Sequence, residues 1–187
     1  MLTDPEFIVP PAPDAETGVA WLRASVARFS SGAVHERRRA LVEAELARID
    51  PEALGTLASV RESGPVEVLA EALGLPSTVV ADVETVAQSY QPHTVITVEA
   101  DAAAERLITV CGARDEVTAS RIGLLVQAGA ATAALIAGTD PPVPVTRRLA
   151  PDGSLVQVDL ADHPFGLGVH ACPSRAHALA LAAGLGR

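Results

Sequence analysis

Chemistry is concentrated near the C-terminus, in Pro164-Phe165-Gly166-Leu167-Gly168-Val169-His170-Ala171-Cys172-Pro173-Ser174-Arg175. The order places a cysteine at the entrance of an Ala/Leu-rich segment, with Pro173 suited to a first helical position. Free N–H groups and the positive end of a helix dipole favour a thiolate there. Two glycines upstream, Gly166 and Gly168, let backbone approach a flat ligand without Cβ clashes. A sulfur held toward its charged form is what an axial haem ligand must be. The alternatives are a small buried cysteine beside turn-forming glycines, a nucleophilic cysteine, and a zinc site from His163, His170 and Cys172. The zinc reading lacks the paired ligand spacing that such sites show.

This stretch resembles the cysteine-ligand loop of the cytochromes P450, a Phe-Gly-x-Gly-x-His-x-Cys-x-Gly pattern. Phe165, Gly166, Gly168, His170 and Cys172 match it, and Ser174 stands where the family has glycine, with slight crowding expected. Ser31 to Arg39 looks like the family's helix carrying His-x-x-x-Arg. His35 and Arg39 lie four apart on one helix face, although an isolated pair of this kind also reads as a solvated basic surface. Leu124 to Gly138 is similar to the helix on the oxygen side of the haem, with Ala128, Gly129 and Thr132 matching and Ala131 replacing the family's acid. Standing alone, that segment reads as an Ala-rich core helix. Pro141-Pro142-Val143 and Thr146-Arg147-Arg148 resemble the strand whose arginine binds a propionate; Arg148 is the choice, Arg147 the alternative, and an exposed strand-end charge the plainer reading.

The resemblance implies haem b, with Cys172 on the iron, His35, Arg39 and Arg148 on the propionates, and Phe165, Gly166, Gly168, His170, Ala128 and Gly129 lining the cofactor. Thr132 becomes the catalytic residue, donating a hydrogen bond toward bound oxygen. The implied fold is mainly α, a compact single-domain remnant of the cytochrome P450 fold with a small β-hairpin. Two blocks of that family are missing between recognisable segments. The Glu-x-x-Arg helix is absent before Pro141, and the meander is absent before His163. Their loss predicts a haem that is more exposed or covered by a second subunit, as in a homodimer. Without an acid at Ala131, proton delivery is weakened by a factor commonly worth ~10²–10⁴ in rate. Peroxide, which bypasses both oxygen and a reductase, is then the better oxidant.

Two functions follow. One is a haem-thiolate oxidoreductase, a P450-like monooxygenase or peroxygenase acting on a small organic substrate, of the sort met in secondary metabolism. The other is a non-catalytic P450-like auxiliary protein that binds and stabilises a partner enzyme. Arg37 to Arg39 and Arg175 are candidate contacts for an acidic redox partner, or are spent on propionates.

The elements that must position these residues read as follows. Hydrophobic residues make up 49% of the 187-residue chain and aromatics only 3%, so Ala, Leu and Val must pack the core of one helical domain. The formal charge of −9 opposes nucleic acid and anionic membranes as partners. The acidic, Pro-rich start predicts an extended N-terminal arm over residues 1–17 and no secretory signal. Two cysteines offer no disulfide framework, so the expected compartment is the cytoplasm. The apolar run Ile122 to Gly138, 17 residues with Gln127 and three glycines, predicts a buried core helix rather than a membrane span. Helices are expected from Gly18, over Val34 to Ile49, from Asp50-Pro51 to Gly64-Pro65, over Val66 to Leu73, from a Ser77 cap to Gln88, over Asp101 to Cys111, from Asp115, and from Pro173 onward. Val143 to Leu149 and Leu155 to Leu160 are the strand candidates, joined by an Asp152-Gly153 turn, with Pro144 confining the first to a sheet edge.

Overall fold

A computed structural model describes residues 1–186. The described residues hold eight α-helices and one antiparallel hairpin. The helices are α1 (Gly18–Ser25), α2 (Gly32–Leu46), α3 (Pro51–Ser59), α4 (Pro65–Ala72), α5 (Val79–Gln88), α6 (Val98–Cys111), α7 (Glu116–Ile136) and α8 (Arg175–Leu185). Strands β1 (Val145–Leu149) and β2 (Leu155–Asp159) pair with Leu149 opposite Leu155 and Val145 opposite Asp159. Single 3-10 turns cover Ala27–Phe29 and Gly168–His170.

Local side-chain chemistry starts several of these helices. Asp50 accepts from the Ala53 N–H with Pro51 at the first position, Thr97 accepts from Ala100, and Asp115 accepts from Thr118. Helix α1 is different. Thr17 makes no capping bond, and the free N–H groups of Gly18 and Val19 go to Glu105 Oε1 (2.8 Å) and Asp101 Oδ1 (2.9 Å) of α6. Gly18 has φ +62°, and a Cβ there would collide with Asp101, so this cap requires glycine.

Several boundaries differ from expectation, among them those of α3, α5 and α6. Gly64-Pro65 does not end α3, which stops at Ser59; Pro65 instead occupies the first turn of α4, where its missing N–H costs nothing. Ser77 is not a cap, because Thr78 precedes α5 with helical angles and no side-chain cap bond. Helix α6 begins at Val98, three residues before Asp101, because Thr97 supplies the cap.

Helix α7 is the hub, packing against α1, α2, α4, α5, α6 and α8. It is the one helix among the described residues long and apolar enough to cross a membrane by length and composition; it is buried from Ile122 through Val126 and again at Thr132, whereas Gln127, Ala130, Ala133 and Ile136 of the expected core segment are exposed. Around it lie Leu22, Leu54, Val68, Val83, Val86, Leu107 and Leu181, all nearly inaccessible. Ala100, Ala103, Ala104 and Ala119 permit close helix approach where larger residues would not. Phe29 and Tyr90 form one tilted aromatic pair at 5.3 Å. Cys111 is buried here, with its thiol pushed up to about 11 by desolvation, and is a small core residue.

Arg23 closes the end of α5. Its guanidinium donates to the carbonyls of Ser89, Tyr90, Gln91 and Thr94 at 2.5–3.1 Å. Charge-assisted bonds to carbonyls are worth more than neutral ones. Arg23→Ala is expected to lower unfolding free energy by about 2 kcal/mol, read as a lower urea midpoint. An unchanged midpoint would mean that water replaces the guanidinium at no cost.

Glu116, at the start of α7, receives Arg37 (2.8 Å) and Arg38 (2.8 Å) from α2. The Arg37 hydrogen bond is the largest influence, and it draws the Glu116 carboxyl down to about 2 from the ordinary 4.5. A depressed folded value means that stability is fully present above pH 4.5 and is lost as pH falls from 4.5 toward 2. Glu116→Gln should therefore flatten acid unfolding in that window while changing little at pH 7 beyond the lost ion pairs. Acid titration of both proteins by circular dichroism checks this.

In the hairpin, Pro151-Asp152-Gly153 forms the connection, with Gly153 at φ +81° and Asp152 Oδ1 accepting from the Ser154 N–H (2.9 Å). Pro144 lies just before β1, and its carbonyl accepts from Leu160. The other edge of β1 is met by the N-terminal arm, where Ile8 exchanges two hydrogen bonds with Leu149. The arm then reaches the cysteine-bearing loop.

Candidate functional site

Residues 163–174 form a loop closed on itself. Gly166 N–H donates to His163 O (2.7 Å), Ala171 N–H to Gly168 O (3.0 Å), and Cys172 N–H to Phe165 O (2.7 Å). Gly166 and Gly168 take φ +71° and +70°, a region where a side chain is strained. A Cβ at Gly166 would also sit 3.4 Å from His170 O. The Arg175 guanidinium covers the Phe165 ring at 5.2 Å. Gly168 lies against Leu2 and Thr3 of the arm, a contact that no periodicity in the sequence announces.

Cys172 is partly exposed, and its Sγ lies 3.4 Å from the Ser174 hydroxyl. Helix α8 begins at Arg175, two residues later than Pro173, with Ser174 as its N-cap residue. The sulfur thus precedes the helix instead of entering it. Its polar neighbour is a hydroxyl, and the expected crowding by Ser174 becomes a contact.

Beside this loop the structure gathers basic groups from three elements. His35 of α2 is buried at 4% exposure, and its ring packs against His170 in a tilted pair, with centroids 4.1 Å apart and planes at 52°. Arg39, one turn along α2, donates to Ala171 O (2.6 Å) and Val169 O (3.4 Å) and pairs with Glu43. Arg148 of β1 is 4% exposed. Its Nη1 donates to Thr146 Oγ1 (3.1 Å) and Arg147 O (2.9 Å), while its Nε is buried with no hydrogen-bond partner. No carboxylate pairs with Arg148 among the described residues. Arg147, by contrast, is half-buried and meets His93. Burial thus separates the two candidates.

The electrostatics agree with the geometry. Desolvation, then the positive charge of Arg28, lowers Arg148 from its ordinary value. Desolvation first, then His35, Arg148 and Arg39, pushes His170 down to about 4. His35 is lowered by desolvation and then by Arg39. Both imidazoles are therefore neutral at pH 7, and Arg39 and Arg148 remain the cations. A buried cation without an anion is costly. A carboxylate delivered from outside would supply what the chain does not.

Thr132 of α7 is buried at 1% exposure. The open side of Gly129 is taken up by Val66 of α4, 3.3 Å from where a Cβ would stand, and Ala128 packs on the core. Farther along α7, Ile136 meets Gly186 at the end of α8 opposite Cys172. The structure therefore unites His35, Arg39, Arg148 and His170 beside the Cys172 loop. It seats Gly129 against Val66 of α4 and Ala128 against the core.

No family model and no curated protein matches the chain. Function must rest on the site itself. No three His, Cys, Asp or Glu side chains converge as a metal-ligand set among the described residues, so His163, His170 and Cys172 do not make the zinc site considered above. A haem asks less of the protein: one axial sulfur and cations for its carboxylates. Cys172 has the sulfur, and Arg148, with its buried unpartnered Nε, the cation that such a group would require.

Proposed function

We propose that the chain is a P450-related haem-thiolate oxidoreductase acting on a small organic substrate, with haem b held through Cys172. The observation that carries the reading is Arg148, buried without a carboxylate among the described residues and close enough for its charge to depress the imidazole of the cysteine loop. Arg148 and Arg39 would hold the propionates, Arg39 through whatever donor capacity its carbonyl and Glu43 bonds leave. Gly166 and Gly168 supply the positive φ angles that close the loop around the sulfur. When bound, the haem supplies oxidation chemistry that no side chain provides.

Peroxide is the favoured oxidant. Ala131 offers no acid beside Thr132, so this chain lacks a carboxyl to pass protons inward. The basic residues that an acidic redox protein would need are also committed: Arg37 and Arg38 to Glu116, Arg39 to Glu43, and Arg175 to Phe165.

The test is spectroscopic. Haem-supplied protein, reduced under carbon monoxide, should give the red-shifted Soret band of a thiolate–CO pair, and turnover should run faster with peroxide than with a reductase and oxygen. Efficient reductase-driven turnover would refute the peroxide assignment, and a normal imidazole-type Soret band would refute the thiolate. The second reading, a non-catalytic auxiliary protein, is favoured by Val66 filling the space at Gly129. It expects a folded, colourless protein that co-purifies with an enzyme.

A further inference from the structure

Ser174 occupies the N-cap position of α8, yet its side chain makes no capping hydrogen bond. Serine at this position ordinarily accepts from an N–H of the first turn, which is why it is favoured there. Here the hydroxyl lies 3.4 Å from Cys172 Sγ. That contact is the one hydrogen bond to the sulfur among the described residues. The Cys172 N–H is spent on Phe165 O, and the Arg175 guanidinium lies over the Phe165 ring.

We infer that the Ser174 hydroxyl donates a hydrogen bond to the Cys172 sulfur and sets how strongly that sulfur donates to a bound iron. The inference rests on the haem-thiolate reading above. A thiolate carries no proton, so in that state the hydroxyl is necessarily the donor. A hydrogen bond to the sulfur withdraws electron density and favours the ferrous form; such bonds are among the protein's means of setting the potential. The pattern that the loop resembles has glycine at this position, which has no hydroxyl. The departure at Ser174 therefore adds a donor beside the ligand.

The experiment uses haem-loaded full-length protein, with the ferric/ferrous midpoint potential and the carbonyl stretching frequency of the carbon monoxide adduct as readouts. Ser174→Ala should shift the equilibrium about tenfold toward ferric iron, ~59 mV downward for one electron. It should also lower the carbonyl frequency, because a stronger sulfur donor sends more density to iron. Ser174→Thr, which keeps the hydroxyl, should stay within about twofold of the parent. Ser174→Gly, which lacks the hydroxyl and relaxes the turn, should match the alanine variant and replaces it should alanine disturb folding. Hydroxyl-free variants that show the thiolate–CO band at an unshifted potential overturn the inference and leave the haem-thiolate reading standing. A parent protein without that band overturns the reading, and this inference with it.

Discussion

Cys172→Ser should abolish the thiolate–CO band completely while leaving the haem-free fold nearly intact. The two outcomes separate because the loop is held by its backbone. Cys172 N–H to Phe165 O, Gly166 N–H to His163 O and Ala171 N–H to Gly168 O do not involve the sulfur. Cys172 is only partly buried and contributes little apolar area, so an oxygen in its place changes stability by about 0.5 kcal/mol or less. The spectrum depends on the ligand atom itself, and a serine oxygen cannot produce a thiolate signature. Optical spectra of both reduced, carbon monoxide-treated proteins, with urea midpoints for the haem-free forms, decide it. A variant that retains the parent band would assign the iron to another residue.

Arg148→Met should act in opposite directions on the haem-free and haem-loaded protein. Without haem, Arg148 is a 4%-exposed cation with no carboxylate among the described residues and one orphaned nitrogen. Its guanidinium bonds to Thr146 and Arg147 are charge-assisted and return about 1.5 kcal/mol each, whereas an isolated buried ion costs several. The cost wins, so methionine of similar length should stabilise the haem-free protein by about 1–2 kcal/mol. With haem the sign reverses, because the lost arginine was the partner for a carboxylate. Affinity should fall by more than about tenfold, in line with ~1.5–3 kcal/mol for a hydrogen bond to a charged group. Haem titration and urea unfolding measure the two effects. A destabilised haem-free variant would show that Arg148 is satisfied structurally and awaits no ligand.

Much of the helical layout was legible locally. Asp50-Pro51, Asp115 and the turn at Asp152-Gly153 act through bonds spanning two or three residues, and each appears where the sequence places it. The boundaries that moved did so for equally local reasons that a single residue type cannot convey. Pro65 reads as a terminator or as a first-turn residue, and only the path of the chain after Ser59 decides which. At α1, no local rule predicts a cap supplied by Asp101 and Glu105, more than eighty residues away.

The same division runs through the candidate site. By itself the sequence determined a glycine-bearing loop ahead of Cys172, a His–Arg pair on one face of α2, and an aliphatic core in which α7 is the most apolar helix. Those properties depend on short-range backbone geometry and periodicity. Tertiary structure alone decided that Arg148 is buried while Arg147 is not, that His35 packs against His170, and that Gly129 serves the packing of α4. It also turned Ser174 toward sulfur instead of toward the helix it precedes. Burial and long-range contact depend on which surfaces meet when the helices pack, and no spacing along one strand or helix encodes that.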